Sequence, residues 1–162
     1  MDYVIPERPV SVSAVGISHV QGKPQNIAFI TLLFNSSLIA HFHVNWLSPV
    51  KIRRVLLSGS RKMVVYDDLE PSEKIKVYDR GITVQQDRED IYKLMIGYRV
   101  GDMHAPQLDM TEALLKEARH FVDCVQHHKK PITSGESGLQ IVKILESASE
   151  SMNHNGKFMP LS

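Results

Sequence analysis

The hydrophobic pattern of this chain changes period once, and that change limits the folds open to it. Through the first part of the sequence apolar residues recur at every second position; in the last part they recur at every third or fourth. The clearest case of the first kind is Leu38 to Trp46. Leu38, Ala40, Phe42, Val44 and Trp46 alternate with Ile39, His41, His43 and Asn45. A strand there puts the first set on one face and the histidines on the other. Val10 to Val15, Ile27 to Phe34, Val50 to Ser58, Lys62 to Tyr66 and Lys74 to Tyr78 read as further strands, with Ile82 to Gln85 and Met95 to Tyr98 as shorter ones. Asn35-Ser36-Ser37 is a connection of hairpin size.

The second kind begins after Asp109 and Glu112, a spacing that predicts a helix start. Leu114, Ala118, Phe121, Val122 and Val125 follow at helical intervals, and His127 to Lys130 with Pro131 close the segment. Thr133 and Glu136 repeat the capping pattern before Leu139, Val142, Leu145, Ala148 and Met152, and Asn155-Gly156 ends this second helix. Strands first and helices afterwards is the order of an α+β domain. The expectation is an open, largely antiparallel β-sheet with two C-terminal helices packed on one face, and residues 1–162 as a single domain. The opposite face, on which Ile30 and Leu32 are expected, is then left uncovered and apolar. A face of that kind meets another protein surface, and a homo-oligomer through it is expected.

Charge and cysteine content narrow the function classes. Lys and Arg total 19 against 18 Asp and Glu, a net charge of +1. That balance supplies no field for a nucleic-acid backbone or an anionic membrane surface. The lone Cys124 excludes an internal disulfide and a multi-cysteine zinc site, and a reducing, cytoplasmic address is expected. No apolar run is long enough to span a bilayer, and Met1 to Pro9 lacks the apolar core of a signal peptide.

Little in the sequence looks like a self-contained active site. His41 and His43 share a strand face about 7 Å apart, a spacing that metal sites use, but no third ligand stands at a telling distance, and two histidines on a half-polar sheet face are the plainer reading. Cys124 lies beside an apolar helical stripe and reads as a buried thiol. Neither Gly-x-Gly-x-x-Gly nor Gly-x-Ser-x-Gly occurs. Trp46-Leu47-Ser48-Pro49 ends a strand, and Lys51 and Arg53 follow on one face of the next. An aromatic, a hydroxyl and two cations in that order suit one wall of a sugar or acid pocket, and equally a core tryptophan beside a solvated basic strand.

Several segments together resemble the glucose–fructose oxidoreductase/inositol dehydrogenase (Gfo/Idh/MocA) family. Val44-Asn45-Trp46-Leu47-Ser48-Pro49-Val50-Lys51-Ile52-Arg53, with Leu57-Ser58-Gly59-Ser60 after it, looks like the family's strand–turn–strand. Met63 to Asp68 and Glu73 to Asp79 look like its next two strands. Glu117 to Val125, Lys129-Lys130-Pro131 and Gly135 to Leu139 resemble its closing helix pair. Tyr98 to Asp102, with Pro106 and Glu112, is similar to members acting on nucleotide sugars. The resemblance covers the second half of such an enzyme. It implies that a Rossmann domain, upstream or in trans, carries the cofactor site and the acid/base residues. Glu7-Arg8-Pro9 does not replace the family's Glu-Lys-Pro, because an arginine does not surrender its proton. Met1-Asp2-Tyr3-Val4 looks like the tail of the preceding helix.

The resemblance therefore implies no catalytic or cofactor-binding residue in this chain, with NAD or NADP expected for the complete enzyme. It implies substrate contacts from Asn45, Trp46, Ser48, Lys51 and Arg53. The chain reads as the substrate-wall and oligomerisation domain of a sugar or polyol oxidoreductase, inactive alone. The alternatives are a stand-alone binding or assembly module of the same fold, with or without a separate Rossmann partner, and a small metal enzyme built on His41 and His43.

Overall fold

A computed structural model describes residues 3–85, 95–99 and 101–161. Met1 and Asp2 of the expected helix tail, and Val100 of the nucleotide-sugar-like segment, lie outside the described residues; Tyr3 and Val4 form a turn. The fold is α+β, with open antiparallel sheets and two helices. Its contacts gather into two compact units, Met1–Pro49 with Glu112–Ser162, and Val50–Thr111.

The first unit holds β1 (Pro9–Ile17), β2 (Ile27–Phe34), β3 (Ile39–Asn45), α1 (Ala113–His127), α2 (Gly135–Asn153) and a short C-terminal strand, β10 (Met159–Pro160). These strands form one antiparallel sheet in the order β10-β1-β2-β3. The Asn35-Ser36-Ser37 hairpin is clamped by Glu7, whose carboxylate accepts from Ser36 N at 2.9 Å and Ser36 Oγ at 2.6 Å. That pairing holds the carboxyl below its ordinary range. Register then sets the faces. Val12 lies opposite Leu32 and Leu32 opposite Ala40; Ala14 lies opposite Ile30 and Ile30 opposite Phe42. This face meets α2, and Val12, Ala14, Leu32, Phe34 and Ala148 form the core, with Ile30, Ile144 and Met152 packed on it. Burying Leu32 or Phe34 contributes about 2 kcal/mol each.

The placement of Ile30 and Leu32 on the uncovered face is therefore corrected: Leu32 is in the core and Ile30 packs against it. β2 is apolar on both sides, so its own pattern names no inner face; the alternation of Val12 and Ala14 with Ser11 and Ser13 in its partner does. The uncovered face carries Ser13, Val15, Phe29, Thr31, His41 and His43.

Both helices start later than their capping residues predict, α1 by three residues and α2 by one. Asp109 Oδ1 accepts from Thr111 N at 2.9 Å and Thr111 Oγ1 at 2.6 Å, which makes a local turn, and α1 begins beyond it with Glu112 as its N-cap. In α2 the cap is Ser134, not Thr133. α2 lies over β1 and β10. α1 buries Cys124, while Leu114, Phe121 and Val125 stay exposed.

The second unit holds β4 (Arg54–Ser58), β5 (Met63–Asp67), β6 (Ile75–Tyr78), β7 (Gly81–Gln85), β8 (Met95–Arg99) and β9 (Met103–His104). β4, β5, β6 and β9 make a second antiparallel sheet in that order, and β7 pairs with β8. β4 is shorter than Val50 to Ser58 because its partner turns away: Asp67 Oδ1 accepts from Leu69 N at 3.2 Å, so the ladder stops at the Arg54–Asp67 pair. No helix among the described residues is long and apolar enough to cross a membrane.

Candidate functional site

The turn that follows β3 carries the tryptophan. Asn45 Oδ1 accepts from Leu47 N at 2.9 Å, and Trp46 N donates to Asn26 O at 2.8 Å. The first bond spends the Asn45 carbonyl on turning the chain; the second ties the turn to the β1–β2 connection. With its backbone fixed in this way, the Trp46 ring projects outward at 89% exposure. The core-tryptophan reading is excluded, because the strand ends one residue too early to carry Trp46 onto the α2 face. Ser48 is exposed beside it.

Lys51 and Arg53 belong to the second unit and precede β4 instead of sharing one of its faces, which corrects that expectation. Lys51 is exposed. Arg53 Nη1 donates to Asp68 Oδ2 at 3.4 Å. Asp68 also accepts from the Tyr66 hydroxyl at 2.9 Å, and Lys74 Nζ donates to its backbone oxygen at 2.7 Å. Next to it, Arg54 Nε and Nη2 both reach Asp67 Oδ2, at 3.1 and 2.7 Å. The Tyr66 bond and then Arg53 hold the Asp68 carboxyl below its ordinary range; Arg54 does the same for Asp67. The same bond raises Tyr66. These pairings favour the ionised forms of Asp67 and Asp68, and they pin the turn that follows β5.

On the uncovered face of the first sheet, the Phe29 ring lies 4.5 Å from His43 and 6.1 Å from His41, nearly parallel to both. His41 Nδ1 lies 3.0 Å from Thr31 Oγ1. No group of three or more His, Cys, Asp or Glu that would hold a metal ion occurs among the described residues.

Sequence reasoning missed a groove of about 620 Å³ on the α2 side of this sheet. Its floor is Ile30, Leu32, Phe42 and Val44, and Ile141, Ile144 and Leu145 of α2 line it from the helix. Arg8 and Lys143 are the charged residues of its lining. The available signal was the breadth of the apolar stripe on α2: Leu139, Ile141, Val142 and Leu145 span more of the helix than β1 and β10 cover.

A dinucleotide needs a pyrophosphate cradle, and the two helix starts among the described residues do not offer one. Backbone N–H groups at a helix N-terminus hold phosphate when no anion competes. α1 opens on Glu112. α2 opens on Ser134 and Glu136, whose carboxyl is lowered to about 2 by hydrogen bonds from Ser134 and its own backbone N–H and by Lys130. A carboxylate already stands at each helix start.

The geometry defines an α+β domain of open antiparallel sheets and two helices, with an exposed aromatic turn after β3. A family model described as "Oxidoreductase family, C-terminal alpha/beta domain" (GFO_IDH_MocA_C) matches residues 1–161, and the chain belongs to that family. Solved structures share the fold. UDP-N-acetylglucosamine 3-dehydrogenase from Acidithiobacillus ferrooxidans matches with a TM-score of 0.68 and 19% identity over 93% of this chain and 41% of its own. Aldose-aldose oxidoreductase from Caulobacter crescentus, complexed with glycerol, matches with a TM-score of 0.70 and 19% identity over 96% and 42%. Levoglucosan dehydrogenase in complex with NADH and levoglucosan matches with a TM-score of 0.69 and 13% identity over 95% and 45%. The chain spans less than half the length of these structures. A search of curated proteins returned no sequence match.

Proposed function

We propose that this chain is the substrate-wall and oligomerisation domain of an NAD(P)-dependent sugar or polyol oxidoreductase, acting in the cytoplasm with a Rossmann domain supplied upstream or in trans. The family match over residues 1–161 carries the reading. The printed names of the similar structures, a nucleotide-sugar dehydrogenase, an aldose oxidoreductase and an anhydrosugar dehydrogenase, favour a carbohydrate. When bound, the nicotinamide supplies the hydride chemistry. This chain supplies surface: Trp46 offers an apolar ring face to the C–H face of a sugar, and Lys51 offers a cation. Asn45, Ser48 and Arg53 complete the proposed contacts, with Asn45 acting through the shape of its turn and Arg53 while paired to Asp68.

The second role belongs to the uncovered sheet face. Val15, Phe29 and Ile39 are exposed on it, and the strand positions of that face carry no Asp, Glu, Lys or Arg, so two copies meet there without a carboxylate, ammonium or guanidinium to bury. The test has two arms. The purified chain is mixed with NADH or NADPH and a panel of aldoses, polyols and nucleotide sugars; neither cofactor binding nor turnover is expected, and turnover by the chain alone overturns the reading. Adding a separately produced Rossmann half is expected to restore turnover, and Trp46→Ala to lower it. A productive mixture that ignores Trp46→Ala removes the substrate-wall role.

A further inference from the structure

Asn26 stands one residue before β2, and the ends of β1 and β3 both meet it. Its backbone N–H donates to Ile17 O, at the end of β1, at 3.0 Å, and its carbonyl accepts from the N–H of Trp46, the first residue after β3, at 2.8 Å. Both main-chain groups of Asn26 are thus used, one on each side. The turn that carries the indole hangs from this residue, so a shift of Asn26 is passed to Trp46.

The Asn26 side chain is held as well. Its Oδ1 accepts from the His19 backbone N–H at 3.4 Å and lies 3.0 Å from His19 Nδ1. A carbonyl oxygen only accepts, so Nδ1 carries the hydrogen, in a neutral ring and in an imidazolium alike. Asn26 is half-buried and His19 exposed. The connection between β1 and β2 has closing bonds of its own. Ser18 Oγ donates to Val20 O at 2.7 Å and accepts from Val20 N at 3.3 Å, and Lys23 N donates to Val20 O at 3.1 Å. The His19 grip therefore serves Asn26 and, through it, the turn after β3.

We infer that His19 and Asn26 are positioning residues for the substrate wall: their clamp fixes the turn after β3 and holds the Trp46 ring ready for a carbohydrate. The inference rests on the proposed function for the ligand, and on the hydrogen bonds for the clamp. At 89% exposure the indole packs on little of its own chain, so its orientation comes from its backbone. A ring presented on a fixed turn binds without first having to be ordered.

The test has a spectroscopic arm on the 162-residue chain and a kinetic arm on the chain joined by the Rossmann half. Trp46 is the only tryptophan, so its steady-state anisotropy in the chain reports the motion of this turn. Asn26→Leu and His19→Ala each cut the grip and are expected to lower the anisotropy. Asn26→Asp keeps the acceptor and is expected to match the parent. The double variant is expected to fall no further than either single one. His19→Ala, at an exposed position outside the strands, carries the test if Asn26→Leu does not fold. In the kinetic arm the probe is the aldose, polyol or nucleotide sugar that the mixture turns over. Its KM is expected to rise about three- to tenfold in both variants with kcat kept. In a Trp46→Ala background neither variant is expected to change KM further.

Unchanged anisotropy in both variants overturns the clamp. A looser ring with the parent's KM, or a KM effect that persists without Trp46, overturns the positioning role while the oxidoreductase reading stands. A lower urea midpoint with the parent's anisotropy and KM assigns the pair to folding alone and overturns the inference as well. If no Rossmann half restores turnover, the oxidoreductase reading falls by itself, and the anisotropy still decides whether the clamp holds the ring.

Discussion

Ser151 Oγ accepts a hydrogen bond from the backbone N–H of Ala14 at 2.9 Å and donates its own proton to the carbonyl of Lys157 at 2.6 Å. Ser151 is fully buried, and the two bonds tie the end of α2 to β1 and to the turn leading into β10. A buried hydroxyl in the middle of an apolar contact is costly unless both its functions are used, and here both are. Ser151→Ala strands one donor and one acceptor, so a loss of about 1–3 kcal/mol is expected. A lower urea midpoint at unchanged slope checks it; an unchanged midpoint shows that water replaces the hydroxyl.

Two glycines that look alike in sequence are expected to respond oppositely. Gly156 has φ +81°, and a Cβ there would lie 2.7 Å from Val15 Cγ1. Gly156→Ala is expected to destabilise by at least about 1 kcal/mol. Gly138 sits in α2 with open space where its Cβ would go, and Gly138→Ala is expected to stabilise by roughly 0.5–1 kcal/mol. Thermal melts of the two variants decide both signs.

The acid limb of stability depends on carboxylates that the fold holds ionised. Glu136 falls from 4.5 to about 2, through Ser134 and its own backbone N–H first and Lys130 after them. A folded-state pKa below the unfolded one stabilises the fold above the unfolded value, and that stability is lost as pH falls through the folded value. The Glu136 contribution is thus complete above about pH 4.5 and disappears towards pH 2. Asp67, Asp68 and Asp123 are shifted in the same direction. Glu136→Gln is expected to be less stable than the parent at pH 7 and to approach it as the pH drops. Urea midpoints at several pH values, repeated in high salt, check the trend; parallel midpoints count against it.

The uncovered sheet face gives a prediction about assembly. Phe29 is flanked by His41 and His43 and is partly exposed. In the proposed dimer that ring is covered by the second copy, so Phe29→Asp is expected to give a monomer by light scattering at micromolar concentration while the circular dichroism spectrum is kept. A parent protein already monomeric at that concentration removes the oligomer role.

How far the sequence could be read depended on the range of the interaction. β2 and β3 were legible because alternation over Leu38 to Trp46 and the small connection at Asn35-Ser36-Ser37 are local signals. The inner face of β2 was not, since Ile30 and Leu33 are equally apolar and only pairing with β1 separates them. The start of α1 was misplaced because an aspartate that caps a helix and one that closes a turn look the same until the backbone is seen. Arg53 reads in sequence as one cation of a pocket wall or of a solvated basic strand, but its partner Asp68 is fifteen residues away across the β4–β5 hairpin, beyond any pattern in the local sequence. The groove depends on what α2 fails to cover, and coverage is a property of the packed sheet.

Trp46 separates a surface role from a structural one. As the only tryptophan it reports alone, and at 89% exposure its emission is expected to match free indole and to be quenched readily by acrylamide. Removing a side chain that packs on nothing changes stability little, so Trp46→Ala is expected to keep the urea midpoint within about 0.5 kcal/mol of the parent. A core tryptophan would cost about 3–5 kcal/mol. In the assembled enzyme a carbohydrate against the ring is expected to shift the emission to the blue and to shield it from acrylamide. The argument then turns on the difference between the two measurements: stability indifferent to Trp46 together with turnover sensitive to it identifies a residue kept for its ligand, whereas a large loss of stability in Trp46→Ala places the ring inside the fold and removes it from the substrate wall.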